Sequence, residues 1–547
     1  MTEGSDLDLG LARLIPPDTL GLDAAVALLE WAVTGDRCIL VVGDYDADGA
    51  TASALAVRGL RALGAGQVDY LVPNREKHGY GLTPEIVGLA HQQTPDLLVT
   101  VDNGIGSLEG VAEARRRGIP VLVTDHHLPG AELPDAAAIV NPNLPGNAFP
   151  SKALAGVGVM FYVLVGLRQK LRDRGGWFGV HRPEPNLANF LDLVAVGTVA
   201  DVVPLDRNNR ILVEQGLRRM REGRLQPGLS ALWRVAQRDP AQGVAADIAF
   251  GLGPRLNAAG RLTDMSLGID CLLTDDPVAA LVKAQILERL NQERREIEQG
   301  MREQADAMLL RRPASLDSNT LGLCLFDPGW HQGVVGILAG RLKDRHHRPT
   351  VVFAEADGGW LRGSARSVAN VPMRDLLEGL SLQTPGLIER FGGHAMAAGL
   401  TLRREHFEAF REAFESAVHA ALGGVLPSAE LLSDGPLSPA ELTLDTAQTV
   451  RLAGPWGQAF PEPLFDNECR VLGQRIIKDR HLKLSVAVGE GPPIEAMAFN
   501  FEETGEWPPG GADHLHLAYK LDVNHYQGSR RLQLLVEQFA PLGTKGQ

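Results

Sequence analysis

The stretch VVGDYDADGATA at residues 41–52 decides how the chain folds. An apolar run, RCILVVG at 37–43, opens into three carboxylates at spacing two: Asp44, Asp46 and Asp48. Gly49 then lets the chain turn into a helical pattern through 50–63. The same strand-end arrangement returns twice. DLLVTVDNG at 96–104 closes on Asp102-Asn103-Gly104, and IPVLVTDHH at 119–127 closes on Asp125-His126-His127. A helix at 107–117 separates them, and AAAIVNPN at 136–143 adds a further short run. β-Branched runs separated by helical stretches read as βαβ units of a parallel sheet. On such sheets, sites form beyond the carboxyl ends of the strands. A fourth acid, Asp201, follows an apolar helix in GTVADVVP.

Working outward, residues 153–172 and 187–200 read as apolar helices packed on that sheet. Residues 276–312 hold a long polar helix, with Leu287, Leu290 and Ile297 set among Glu and Arg, joining two bodies. The second body, 313–425, is α/β, with strands at 321–327 and 349–355 and helices at 333–344 and 404–421. Pro and Gly cluster within 426–465, a linker and docking loop. From 466 to 547 five segments, three of them alternating with period two, are compatible with a small OB-type β-barrel. The expected architecture is therefore a parallel-sheet α/β catalytic domain over 1–275, the long helix, a second α/β domain and a C-terminal barrel.

Composition bounds the function. The 547 residues carry a formal net charge of −14, which argues against a protein that coats polyanions. The sum hides a pattern, because residues 1–150 carry −11 and residues 151–350 carry +5. The four cysteines, Cys38, Cys271, Cys324 and Cys469, lie far apart and form neither a disulfide framework nor a finger. The first residues lack a signal-peptide pattern, and apolar runs such as 157–167 fall short of the ~20 residues of a membrane helix. The expectation is a cytoplasmic protein without a membrane anchor.

Clustered carboxylates repel one another unless cations hold them. Oxygen and imidazole donors together suit Mn²⁺ or Mg²⁺, whereas thiolates favour zinc. Two such ions about 3.5–4 Å apart are a recurring device for displacement at phosphorus. The competing reading is that loop aspartates cap helices, the commoner role for any one of them and as good a reading for Asp44 alone, while three successive strand ends together favour cations. Elsewhere, Arg75, Lys77 and His78 form a short basic loop beside Tyr80 and Gly81, in isolation a solvated surface, next to a two-cation site a phosphate contact. Ser364 and Arg366 in GSARS, and Gly392-Gly393-His394, offer the glycine-rich backbone, hydroxyl and guanidinium of a phosphate site; a tight turn is the plainer reading of the two glycines. Arg255, Asn257 and Arg261 in GPRLNAAGRL read as a loop that either hydrogen-bonds a passing strand or forms a capping network. On the barrel, Lys478, Arg480, Lys483, Tyr526, Arg530 and Arg531 suit a single strand by charge and stacking, or the barrel is a scaffold only.

The segments DYDADG, DNG, TDHH and VADVVP resemble the four motifs of the DHH phosphoesterase superfamily. Further stretches resemble its RecJ family of bacterial single-strand-specific exonucleases. They are VPNREKHGYGL (72–82), FGLGPRLNAAGRL (250–262), LNQERREIEQG (290–300), WHQGVVGILAGRL (330–342), GSARS (363–367), FGGHAMAAGL (391–400) and GPWGQAFPEPLFD (454–466). The similarity runs over nearly the whole chain. It implies that Asp46 and Asp102 belong to one metal ion, and Asp48, Asp102, His126 and Asp201 to a second, with Asp102 bridging. His127 would reach the scissile phosphate or orient a ligand. Some branches place a His two residues before the first Asp; this chain has Val42 there, leaving the first ion one ligand short unless Asp44 or water supplies it. The resemblance assigns Arg75, Ser364 and Arg366 to a 5′-phosphate and His394 to substrate binding.

The function so implied is a 5′→3′ exonuclease on single-stranded DNA, releasing 5′-mononucleotides by two-metal in-line hydrolysis in recombination and repair. The catalytic and second domains would form a groove admitting one strand and not a duplex. The resemblance further implies a monomer whose partners are single-strand-binding protein and a repair helicase. Two rivals share the core motifs: a phosphoesterase of short oligonucleotides or cyclic dinucleotides, and a non-catalytic nucleic-acid-binding scaffold. The first lacks the long helix and barrel; the second has lost motif residues that are all present here.

Overall fold

In the computed structural model, residues 7–542 are described apart from 76–77, 176, 179–181, 312–319, 426, 428–429, 479, 502–510 and 527–528. Each apolar run of the first segment becomes a strand, and each period-3.6 stretch a helix. The order is α1 (Asp23–Thr34), β1 (Ile39–Val42), α2 (Ala47–Leu63), β2 (Val68–Leu71), α3 (Pro84–His91), β3 (Leu97–Val101), α4 (Leu108–Arg116), β4 (Val121–Thr124) and β5 (Ala138–Val140). The five strands form one sheet in the order β2-β1-β3-β4-β5, with every pairing parallel. β1, β3 and β4 are buried along their whole length, which is why they read as continuous apolar runs rather than alternating ones. The strand order reverses between β1 and β3, and at such a switch point a crevice opens beyond the strand ends.

Helices α5 (Gly156–Asp173), α6 (Leu191–Ala200), α7 (Arg207–Arg221) and α8 (Pro227–Val235) follow, then a single turn α9 (Ala245–Asp247). α2, α5 and α6 pack together in the largest hydrophobic core, with Leu55, Val159, Leu164 and Val194 fully buried. A π-helical turn at Ile248–Leu252 leads into α10 (Gly253–Leu262), α11 (Ser266–Leu273) and the 35-residue α12 (Pro277–Arg311). The GPRLNAAGRL stretch expected as a loop is thus helix α10. Its small residues let it lie close to its neighbours, and that closeness outweighs the low helix propensity of its glycines.

The chain divides into two compact units: residues up to Asn291 together with Ser433 onward, and residues Gln292–Leu432. The second unit holds β6 (Leu323–Phe326), α13 (Val335–His346), β7 (Thr350–Ala356), β8 (Trp360–Arg366), α14 (Met373–Gln383), β9 (Arg390–Gly393), β10 (Ala397–Arg403) and α15 (Phe407–Leu422). Its sheet runs β6-β7-β8-β10-β9, parallel between β6 and β7 and antiparallel elsewhere. Three of these strands lie where the sequence reading placed none.

In the first unit, α16 (Leu444–Leu452) interrupts the stretch read as a linker. β11 (Phe465–Ile477), β12 (His481–Ala487), β13 (Ile494–Phe499), β14 (His514–Tyr526) and β15 (Ser529–Pro541) close a barrel in the order β11-β12-β13-β15-β14. The chain before the barrel docks on the catalytic fold. Leu205 N–H donates to the Gln458 carbonyl at 2.7 Å, and the Arg210 guanidinium lies 4.0 Å over the Phe460 ring. Among the described residues no helix is long and apolar enough to cross a membrane.

Candidate metal centre

Because β1, β3 and β4 are neighbours in a parallel sheet, the acids that follow them meet at one edge. α6 ends at the same place and brings Asp201 as its C-cap. Ligand atoms of Asp44, Asp46 and Asp102 all lie within 4.8 Å of one another, as do those of Asp48, His126 and Asp201, and those of Asp102, His126 and His127. His126 Nε2 stands 3.1 Å from Asp102 Oδ1 and 3.5 Å from Asp201 Oδ2, so it joins the groups.

The backbone around each ligand is tightly set. Asp46 is the N-cap of α2 and accepts the Gly49 N–H through Oδ1 at 3.0 Å, so a residue of the cluster also caps a helix. Asp48 takes two N–H groups from the first turn of α5, Gly156 N at 2.6 Å and Val157 N at 3.0 Å. Asp102 sits at φ +62°, a left-handed conformation that costs a non-glycine residue energy and is tolerated where neighbours over-determine it. The determining neighbours are visible: Asn103 Nδ2 donates to the Val42 and Val101 carbonyls at 3.0 and 2.9 Å, tying the ends of β1 and β3 together. Gly156 is required by contact, since a Cβ there would come within 2.4 Å of the Asp102 Cβ.

Burial and mutual repulsion dominate the electrostatics. Asp44, Asp48 and Asp102 are pushed well above the carboxylate range, first by burial and then by the neighbouring aspartates. Asp201 is raised to about 7 for the same two reasons. Asp125 differs: burial pushes it up, but His127, His126 and the Ile105 N–H outweigh that and hold it below its ordinary value. It accepts Ile105 N at 2.9 Å, His126 N at 2.7 Å, His127 N at 3.1 Å and His127 Nδ1 at 2.7 Å. Burial pulls His127 down, yet the Asp125 bond and the surrounding acids raise it to about 9. The Asp125 bond thus favours the protonated form of His127.

The donor set fits hard divalent cations. Five carboxylates and an imidazole converge with no thiolate among them, and among the described residues the buried Asp102 Oδ1 has no donor in hydrogen-bonding geometry, His126 Nε2 standing 3.1 Å away. Asp44 falls in the group with Asp46 and Asp102, at the point where Val42 offers no ligand.

The other expected residues separate into two sets. Arg75 stacks its guanidinium 5.1 Å over the Tyr45 ring; Tyr45 meets Tyr80 edge-on at 6.1 Å, and Tyr80 meets His127 at 5.9 Å. Tyr80 is 48% exposed and donates to the Asp102 carbonyl at 3.3 Å, so an aromatic wall borders the cluster. Lys77 lies outside the described residues. Arg255 and Asn257, by contrast, are engaged within the protein. Arg255 donates to the Gly251 carbonyl and pairs with Glu288, and Asn257 accepts the Ala47 N–H at 2.8 Å. Arg261 follows on the same helix, half-buried.

In the second unit, Ser364 and Arg366 lie on β8, with Arg366 Nη1 donating to Ser364 Oγ at 3.0 Å. A Cβ at Gly336, in the first turn of α13, would come within 2.9 Å of Ser364 Oγ and 3.1 Å of Arg366 Nη2. The first turn of a helix, a hydroxyl and a guanidinium thus lie close together, groups of the kind that make an anion site. Gly392 and Gly393 end β9, and His394 begins the turn into β10 with its N–H on the Ala397 carbonyl at 2.7 Å. On the barrel, Lys483 pairs with Glu495 and Arg530 donates to Gln448 at 2.6 Å, while the Tyr526 side chain lies outside those described.

Sequence reading missed Asp125 as the partner of His127, the α5 N-terminus behind Asp48, and Asn141 and Asn143, which donate to the His127 and His126 carbonyls at 2.9 and 2.6 Å. The signal for the last two was the NPN after β5, an asparagine pair at a strand end.

This arrangement, carboxylates from three strand ends and a helix terminus around a His-His pair, defines a DHH-type phosphoesterase centre. Comparison with known proteins agrees. The DHH family N-terminal domain matches residues 38–198, the DHHA1 domain residues 319–420 and the RecJ OB domain residues 433–538. The chain is 53% identical over 542 residues to the single-stranded-DNA-specific exonuclease RecJ of Salmonella typhimurium, covering 98% of this chain and 93% of that protein. It is 52% identical to that of Escherichia coli, with the same coverage. The crystal structure of Thermus thermophilus RecJ in complex with Mn²⁺ superposes with a TM-score of 0.78 at 31% identity, covering 99% of this chain and 74% of that one. A second crystal structure from that organism contains Mg²⁺. The chain belongs to the RecJ family.

Proposed function

We propose that this chain is a metal-dependent exonuclease that degrades single-stranded DNA from its 5′ end and releases 5′-mononucleotides. The observation that carries the reading is the convergence of Asp44, Asp46, Asp48, Asp102, His126 and Asp201 at one sheet edge, with burial and repulsion that cations relieve. Family membership supports the choice of DNA and of single strands.

Asp44, Asp46 and Asp102 would hold one Mn²⁺ or Mg²⁺, and Asp48, His126 and Asp201 the other, with Asp102 shared. Bound there, such a pair lowers the pKa of a water and neutralises charge as it develops on the leaving 3′-oxygen. The chain's own groups do the rest. Protonated His127, oriented by Asp125, presents a positive donor to the scissile phosphate. Arg75, propped on Tyr45, holds a phosphate beside the cluster. Ser364, Arg366 and the first turn of α13 offer a cradle for a phosphate monoester, and His394 a further substrate contact. The barrel has the OB topology on which single strands are commonly bound. The setting is recombination and repair in the cytoplasm, by a monomer working with single-strand-binding protein and a repair helicase.

The decisive experiment incubates wild type and Asp102→Asn with 5′-labelled single- and double-stranded DNA, in Mn²⁺ or in EDTA. Release of labelled mononucleotide is expected from single strands only, with Mn²⁺ only, and from wild type only. Equal activity in the variant sinks the two-cation reading, and release from the 3′ end sinks the polarity.

A further inference from the structure

Helix α10 lies against the loop that carries Asp44, Asp46 and Asp48. Asn257 Oδ1 accepts the Ala47 N–H at 2.8 Å across 210 positions of sequence. A backbone N–H only donates, so the partner fixes which end of the Asn257 amide faces it. Ala47 is the first residue of α2 and sits between Asp46 and Asp48. Its N–H is one of the orphan donors that every helix leaves at its start. Three residues further along α10, on the same face, Gly260 lies against the Tyr45 carbonyl, where a Cβ would come within 1.8 Å. The peptide units on either side of Asp46 are therefore held by one helix. α10 is itself anchored, because Arg255, 8% exposed, pairs with Glu288 of α12.

We propose that Asn257 is a positioning residue for the cation site. Asp46 and Asp48 flank Ala47 but belong to different ligand groups, Asp46 with Asp44 and Asp102, Asp48 with His126 and Asp201. The orientation of the Ala47 peptide sets the direction in which each carboxylate leaves the loop. Asn257 fixes that orientation from outside the ligand set, through backbone rather than through substrate. The inference rests on the two-cation reading above, and it contrasts with direct contact between Asn257 and a DNA strand.

The test compares wild type, Asn257→Ala and Asn257→Asp, the last of which keeps an acceptor oxygen in place. Mn²⁺ affinity is measured by the electron-spin resonance of free Mn²⁺, without DNA. Binding of a 5′-phosphorylated oligothymidylate is measured by fluorescence anisotropy in EDTA. Outer residues that orient metal ligands typically change affinity by about 10–100-fold. Asn257→Ala is therefore expected to bind Mn²⁺ about 10–100-fold more weakly, with oligonucleotide affinity unchanged and Asn257→Asp restoring most of the loss. Should Asn257→Ala fail to fold, Asn257→Asp and Asn257→Ser, whose shorter side chain cannot reach Ala47, carry the same contrast. Unchanged Mn²⁺ binding with weakened oligonucleotide binding overturns the proposal in favour of strand contact. Failure of the Asp variant to rescue overturns it as well. If wild type itself binds no Mn²⁺, the two-cation reading falls; if wild type and Asn257→Ala bind alike, only the role of Asn257 does.

Discussion

The metal centre of the first unit and the proposed phosphate cradle of the second are built from opposite materials. The centre is acid packed on acid, with Asp48 and Asp102 buried and raised far above their usual range by burial and then by neighbouring aspartates. The cradle is neutral backbone, one hydroxyl and one guanidinium, half-buried on β8 and the start of α13. On the proposed function, the first would hold an anionic substrate only through cations, whereas the second would hold one directly. Both therefore suit phosphate, but with different dependence on metal and on the state of the DNA end.

That contrast can be broken by substitution, and the largest effect is expected at the centre. Asp48→Asn removes a ligand charge while keeping its shape. It should lower turnover on 5′-phosphorylated and 5′-hydroxyl strands alike, by more than the ~10–100-fold of an outer-shell change. A loss confined to one kind of end would place Asp48 in end recognition instead. Arg366→Ala comes next. A charge-assisted hydrogen bond is worth about 1.5–3 kcal/mol, so the preference for a 5′-phosphate over a 5′-hydroxyl should fall roughly 10–100-fold, while turnover of the hydroxyl end is retained. Preserved preference would move the cradle elsewhere. The smallest change at neutral pH should come from Asp125→Asn. His127 is raised to about 9 because the Asp125 bond and the nearby acids outweigh burial, and removing that charge lets it fall toward an ordinary imidazole near 6.5. Since the protonated form is the one proposed to act, the alkaline limb of kcat/KM should move to lower pH. An unmoved limb would release His127 from that role.

How much of this was legible follows the same division. Asp44, Asp46, Asp48, Asp102, His126 and His127 follow strands that are buried on both faces, so each stood at the end of a continuous apolar run. Runs of that kind are hard to mistake, and the acids after them are conspicuous. β8, β9 and β10 were not legible, because WLRGSAR, RFGG and AAGLTLR are glycine-bearing and poor in β-branched residues. Their pairing with one another, rather than their propensity, makes them strands. α10 escaped for a related reason: glycine, proline and asparagine are weak helix formers, and what holds them helical is close packing on Tyr45 and Glu288.

The net charge of −14 shows the limit of composition read alone. It counted the acids of a cation site as if they were surface, and so spoke against a nucleic-acid partner. Bound cations would offset the excess at the place where it looks most hostile to DNA.

By itself the sequence determined the parallel sheet, the set of acids and histidines at its strand ends, the long helix and the barrel. Those features depend on local periodicity and on the chemistry of individual side chains. Only the tertiary structure decided that β1, β3 and β4 are neighbours, that Asp125 serves His127 rather than a cation, and that Asn257 faces the backbone of Ala47. The physical reason is that hydrogen-bond partners and charge shifts depend on distance in space. A contact across 210 positions leaves no periodic trace along the chain.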